Sequence, residues 1–309
     1  MSTRPIWENE GRRWPNREAS RFLRAGGFRW HVQVAGEGPA LLLLHGTGAA
    51  THSWRGLLPL LAQHFTVIAP DLPGHGFTDA PPAQALSLPG MARAVAALLT
   101  ALGLEPEIAV GHSAGAAVAA LMSLEGMVAP RAIVSLNGAL LPLRGGPGDL
   151  FIFSALARVL VSLPIVPWLI ARRAADRSAV ERLLRGTGST IDAAGVDHYA
   201  AMVRHPGHVA AALGMMAAWD LHPLARALPR LAPPLTLVVG ENDRTIPASD
   251  ALRVKAILPS ARIVTLPRLG HLAHEEDPAA IAAIILESAG PDDGRGAQET
   301  AATLRPPAA

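Results

Sequence analysis

Apolar positions along this chain recur with two periods, and the two take turns. SRFLRAGGFRWHVQVAG (20–36) alternates apolar and polar residues on either side of a Gly-Gly pair, which predicts two short strands joined by a turn. PALLLLHG (39–46) is a continuous apolar run ended by glycine, the signature of a strand buried on both faces. THSWRGLLPLLAQH (51–64) follows with helical spacing, then FTVIAPD (65–71) as another buried strand. LSLPGMARAVAALLTALG (86–103) is helical, with Pro89 suited to a first turn. EIAVGH, AGAAVAALMSLEG and RAIVSLNG then read as strand, helix and strand. Strands that alternate with helices predict a mostly parallel sheet with helices on both faces.

The alternation lapses between about 140 and 232, where Pro and Gly break helix-like pieces and no strand stands out. LTLVVG, SDALRVKAIL, RIVTL and PAAIAAIILESA then resume it. The expected organisation is an α/β core over 1–139 and 233–289, a helical cap over 140–232 inserted after the sixth core strand, and a disordered tail over 290–309. The run LFIFSALARVLVSLPIVPWLI (150–170) is as long as a membrane span, but Arg158, Pro164 and Pro167 interrupt it. It reads as short buried or substrate-facing helices broken at the prolines, with peripheral membrane contact a better fit than crossing.

Composition narrows the function. The chain has 309 residues, half of them hydrophobic and 17% charged, with net charge +2, so one sizeable core is affordable and no acidic or basic field dominates. No basic run is interleaved with aromatics, which argues against a nucleic-acid partner. Cysteine is absent, which excludes disulfides, thiolate metal sites and a cysteine nucleophile. The polar N-terminal stretch MSTRPIWENEGRRWPNREASR lacks a signal-peptide core, so the cytoplasm is the expected location. No metal-ligand spacing occurs and no cofactor is called for. His205 and His208 in RHPGHV lack acidic company and read as a turn.

One serine stands out. In VGHSAG, Gly111 and Gly115 flank Ser113 where a predicted strand passes into a predicted helix. In an Ala- and Gly-rich chain the spacing could be accidental. At such a junction, however, glycines permit a sharp turn that holds the serine at the carboxyl edge of the sheet, with a helix amino end aimed at it. A serine nucleophile needs a base and an acid to orient that base. Asp243 lies just past one later strand in GENDRTIP, and His271 just past the last in LGHLAHEE. The order Ser113, Asp243, His271 fits a serine hydrolase, with Glu241 a rival acid and Asn137 unable to serve as one. HGTG (45–48) after the third strand offers the Thr47 N–H, and the helix start offers that of Ala114, as oxyanion donors. His45, Trp54, Trp168 and Trp219 are pocket candidates, although loop bracing by His45 and helix packing by Trp54 explain those residues as well.

Taken in order, HGTG, DLPGHGFT, GHSAG, GENDRTIP and LGHLAHEE resemble the α/β-hydrolase superfamily from about residue 20 to 290. That resemblance implies the α/β-hydrolase fold and a helical cap where the alternation lapses. Haloalkane dehalogenases and epoxide hydrolases would call for aspartate where Ser113 stands. Ester, thioester, lactone and carbon–carbon bonds all stay open as substrates. EGRRWPNREASRF, HGTGAATHSWR, VSLNGALLP, LLRGTGS and RHPGHVAAALGMMAAWDL further resemble the magnesium-chelatase accessory protein family of bacteriochlorophyll biosynthesis. This resemblance implies a role around magnesium insertion, with a tetrapyrrole or another lipophilic small molecule as ligand and magnesium-chelatase subunits as partners. No nucleotide-binding P-loop sequence is present.

Overall fold

The computed structural model describes residues 3–142, 163, 165–174 and 176–290. After a short helix α1 (Trp7–Glu10), the two amphipathic stretches form β1 (Ser20–Ala25) and β2 (Phe28–Ala35), paired antiparallel across a turn in which Gly26 and Gly27 have φ of 57° and 86°. The core then runs β3 (Ala40–Leu44), α2 (Leu57–Leu61), β4 (Thr66–Pro70), α3 (Leu88–Leu102), β5 (Ile108–His112), α4 (Ala114–Leu124) and β6 (Ala132–Leu136). The described residues between β6 and β7 form only helices: α5 (Ile165–Arg173), α6 (Arg177–Gly186), α7 (Ala193–Val203), α8 (Pro206–Ala217) and α9 (His222–Ala227). β7 (Leu235–Gly240), α10 (Ser249–Ile257), β8 (Arg262–Leu266), α11 (Ala273–Glu276) and α12 (Pro278–Ala289) complete the core.

The eight strands form one sheet in the order β1-β2-β4-β3-β5-β6-β7-β8, and every pairing from β4 through β8 is parallel. The apolar runs make sense in this setting. Successive strand residues point to opposite faces, so Leu42 and Leu44 join Met91 and Val118 in one core while Leu41 and Leu43 join Leu57 and Ile281 in another. All four leucines are fully buried. Helix α3 is set at both ends by sequence. The Ser87 hydroxyl accepts the Gly90 N–H, Pro89 fills the first turn, and Gly103 closes the helix at φ 64°.

Two expectations need correction. THSWRGLLPLLAQH is not one helix: a 3₁₀ turn over Thr51–Trp54 precedes the five-residue α2. A continuous helix would have used the amide that Pro59 lacks and driven its ring into the preceding turn. Gly56 also lies so close to Pro278 that a Cβ would sit 2.9 Å from its ring. RHPGHV is not a turn either. His205 caps α8, and Pro206 starts it.

The expected tail beyond Gly290 and most of the long apolar run lie outside the described residues. Among the described residues no helix is long and apolar enough to cross a membrane. The N-terminal stretch, read from sequence only as polar, straps the core. Trp7 packs on Phe22 and Phe77, Trp14 Nε1 donates to Thr51 Oγ1 at 2.9 Å, and the Thr3 carbonyl accepts the Gly207 N–H of α8 at 2.6 Å.

Candidate active site

Ser113 is the single residue between β5 and α4. Its φ of 51° and ψ of −116° lie where an L-residue is strained, which is the cost of turning a strand into a helix within one residue. The flanking glycines make the turn possible. A Cβ on Gly111 would overlap the backbone of Ala116, and one on Gly115 would overlap the carbonyl of Leu44 on the adjacent strand. The Ser113 N–H donates to the Leu136 carbonyl at 3.0 Å, which ties the bend to β6. Its side chain is half-buried, and the hydroxyl has no hydrogen-bond partner among the described residues.

The loops after β7 and β8 bring Asp243 and His271 together. His271 Nδ1 lies 2.8 Å from Asp243 Oδ2, with both side chains nearly sealed from solvent. A carboxylate only accepts, so Nδ1 carries a proton, and in the neutral ring Nε2 keeps the lone pair. The acid is held on every side. Asn137 Nδ2 donates to Oδ2 at 2.7 Å, and the N–H groups of Thr245 and Ile246 donate to Oδ1 at 2.7 and 2.9 Å. Asn137, which sequence reading dismissed because it is no acid, therefore orients the acid instead. His112, next to Ser113, spans the site: its Nε2 donates to the His271 carbonyl at 2.9 Å. Its ring lies 4.3 Å from that of His274, which in turn lies 4.7 Å from Trp54. Burial, reinforced by the neighbouring His271, pushes His274 down to about 3, so it stays neutral near pH 7.

The HGTG loop lies against the serine: a Cβ on Gly46 would come within 3.0 Å of Ser113 Cβ. Among the described residues no hydrogen bond uses the backbone N–H of Thr47 or that of Ala114. His45 fixes this loop from behind, donating from Nδ1 to the Gly46 carbonyl at 2.8 Å and accepting the Leu72 N–H at Nε2 at 2.9 Å. It is wholly buried, as is Trp54 in the helix-facing core, so neither forms an open pocket wall; the need to brace a loop and fill a core has claimed both. Trp168 is 46% exposed on α5, with the Arg172 guanidinium 5.4 Å from its ring. Trp219 is partly buried against the core.

Asp71 organises the loops around the site, a role its motif DLPGHGFT did not reveal. It accepts the Thr51 N–H at 2.7 Å and the Phe77 N–H at 2.9 Å, and it lies 2.8 Å from His31 Nδ1. Burial would raise its pKa, but the adjacent His31 and its hydrogen bond, with help from His45 and the Phe77 amide, hold the carboxyl well below the usual range. Above this, α8 leans on the serine side. His208 Nε2 donates to the Gly48 carbonyl at 3.1 Å, His208 Nδ1 accepts the Gly76 N–H at 3.1 Å, and Thr47 Oγ1 meets Met215 Sδ at 3.6 Å. On the histidine side, Tyr199 of α7 donates to Glu275 Oε1 at 2.8 Å. Nothing in local periodicity marks Asn137, His208 or Glu275, because their partners lie 106, 160 and 76 residues away.

Known proteins resemble this chain over most of its length. Residues 41–284 match the alpha/beta hydrolase family. The magnesium-chelatase 30 kDa subunit of Rhodobacter capsulatus is 41% identical over 278 residues, spanning 89% of this chain and 95% of that protein. The 2-hydroxy-6-oxo-6-phenylhexa-2,4-dienoate hydrolase of Burkholderia cepacia is 29% identical over 264 residues, 81% of this chain and 87% of that protein. Among solved structures, an alpha/beta hydrolase fold protein from Burkholderia ambifaria superposes with a TM-score of 0.73 at 26% identity, covering 87% of this chain and 97% of that one.

Proposed function

The chain belongs to the alpha/beta hydrolase family, and on that premise we propose that it is a serine hydrolase acting on an ester or related acyl bond of a lipophilic substrate, with 140–232 as the cap over its site. Ser113 is the nucleophile, His271 the base and Asp243 the group that orients it. As the Ser113 hydroxyl attacks the acyl carbon, His271 Nε2 takes its proton, and Asp243 stabilises the resulting imidazolium. Charge gathers on the acyl oxygen, where the N–H groups of Thr47 and Ala114 receive it, each worth about 3 kcal/mol in comparable sites. His271 then returns the proton to the leaving group, and water repeats the sequence on the acyl-enzyme. The observation that carries this reading is a strained, half-buried serine, with two N–H groups beside it unspent among the described residues, on a chain that also holds an imidazole bound through Nδ1 to a fully satisfied carboxylate. A fluorophosphonate probe tests it. Labelling at Ser113 is expected in the folded protein, as is its loss in Ser113→Ala. An unlabelled wild type beside a labelled control hydrolase would sink the proposal.

Kinship with a relative named for magnesium chelatase favours a second reading. In it the chain serves bacteriochlorophyll synthesis by binding a porphyrin or delivering it to chelatase subunits, without turnover. The unengaged Ser113 hydroxyl is compatible with this. The two readings part in a deletion strain: Ser113→Ala protein that fully restores pigment supports delivery, and failure of that variant, where wild type succeeds, supports catalysis. Normal pigment in the deletion strain itself would instead favour a general esterase or a carbon–carbon bond hydrolase.

A further inference from the structure

The cap meets the core at several places, but one contact falls on the acid loop and the base loop together. It is the stretch Thr187, Gly188, Ser189 and Thr190 within the link between α6 and α7, whose first three residues end the LLRGTGS run for which the chemistry of the site gives no reason. The N–H of Arg244, immediately after Asp243, donates to the Thr187 carbonyl at 3.1 Å. The N–H of Leu272, immediately after His271, donates to Ser189 Oγ at 2.8 Å across 83 residues of sequence. The Thr190 N–H donates to Glu276 Oε2 at 3.0 Å, and the other oxygen of that carboxyl accepts the N–H of Gly270, just before His271, at 2.8 Å. Gly188 sits between the two loops at φ 87°. A Cβ there would overlap the carbonyl of Asn242, the residue before Asp243, and a Cβ on Gly270 would overlap the backbone of Gly188.

We propose that Gly188 and Ser189 form a wedge of positioning residues that sets the spacing of Asp243 and His271, so that the base is aligned only when the cap is seated. This rests on the reading of His271 as base. The physical ground is that β7 and β8 are neighbouring parallel strands whose following loops are fixed by contacts beyond the sheet. Here the cap supplies hydrogen bonds to the residue after the acid and to the residue after the base, and one glycine fills the gap between them. Ser189 is 2% exposed, so its hydroxyl has no competing solvent. A ligand that displaces α6 and α7 moves this link and with it the imidazole.

The experiment compares wild type with Ser189→Ala, Ser189→Thr and Gly188→Ala, all checked for folding by circular dichroism. Two signals are read: the low-field proton resonance of His271 Nδ1–H, and the rate of fluorophosphonate labelling against pH. Ser189→Ala is expected to broaden the resonance and to slow labelling roughly 10- to 100-fold, the scale of a misplacement of about 1 Å. Ser189→Thr, which keeps the hydroxyl, should restore both, and Gly188→Ala should be at least as severe. An unchanged resonance and labelling rate in Ser189→Ala overturns the wedge, as does failure of Ser189→Thr to restore them or absence of the low-field proton in wild type. A wild type that shows the proton and its response to Ser189→Ala, yet never labels, keeps the wedge and fells the hydrolase reading.

Discussion

At the scale of single residues, the groups that matter most are buried polar side chains whose partners were invisible in sequence. Glu275 is one. Its side chain is fully buried four residues past His271, with Tyr199 donating to one oxygen and the Arg55 guanidinium 4.0 Å from the other. Burial pushes this carboxyl up to about 8, against the opposing pull of the Tyr199 hydrogen bond and Arg55. Between its ordinary value of 4.5 and about 8, the folded protein thus holds a proton that the unfolded chain has lost. Stability contributed by this group therefore falls as pH rises through that window and is level on either side of it. Glu275→Gln keeps an acceptor for Tyr199 and removes the titration, so melting temperature between pH 5 and 8 should decline less steeply in the variant; parallel curves would contradict the assignment. Of the candidate site, Ser113, Asp243 and His271 were legible because each follows a strand in a recognisable local pattern. Asn137 was not, since an amide looks inert until a carboxylate is seen 2.7 Å away.

At the scale of elements, the strands and the Pro89 start of α3 were legible because their causes are local. A run of leucines buried on both faces needs only its own periodicity to be read, and the structure adds which helices cover each face. Leu43→Ala should therefore cost about 2–5 kcal/mol, since the cavity it leaves is walled by strands and helices that cannot collapse. Ser87→Ala, removing only a cap, should cost about 0.5–2 kcal/mol. Chemical denaturation of the two variants tests the ranking, and an equal or reversed order would count against this account of the core. The stretch 51–64 shows where element reading fails. Its apolar spacing is helical, but Pro59 and the close approach of Pro278 to Gly56 break it into two pieces.

At the scale of the whole molecule, three layers converge on one sheet edge: strand-end loops, the helices between β6 and β7, and the N-terminal strap. The strap's aromatic residues pack beside the Asp71 loops, and the backbone of Thr3 reaches α8. Removing residues 1–19 should expose Phe22 and Phe77, lower stability by about 3 kcal/mol or more, as loss of a buried tryptophan alone does, and increase binding of a hydrophobic dye. A truncated chain with unchanged melting temperature would refute this role. Sequence by itself determined the α/β alternation, the bend at Ser113, the order of its candidate partners and the place where strands give way to helices. Periodicity, glycine spacing and proline act over a few residues, so they survive without a structure. Tertiary structure alone decided that His112 braces the backbone of His271, that Asn137 steadies Asp243, and that Gly188 and Ser189 lie between the Asp243 and His271 loops. Those contacts join positions tens to more than a hundred residues apart, and only the packing of complete layers brings such distant backbones within hydrogen-bonding reach.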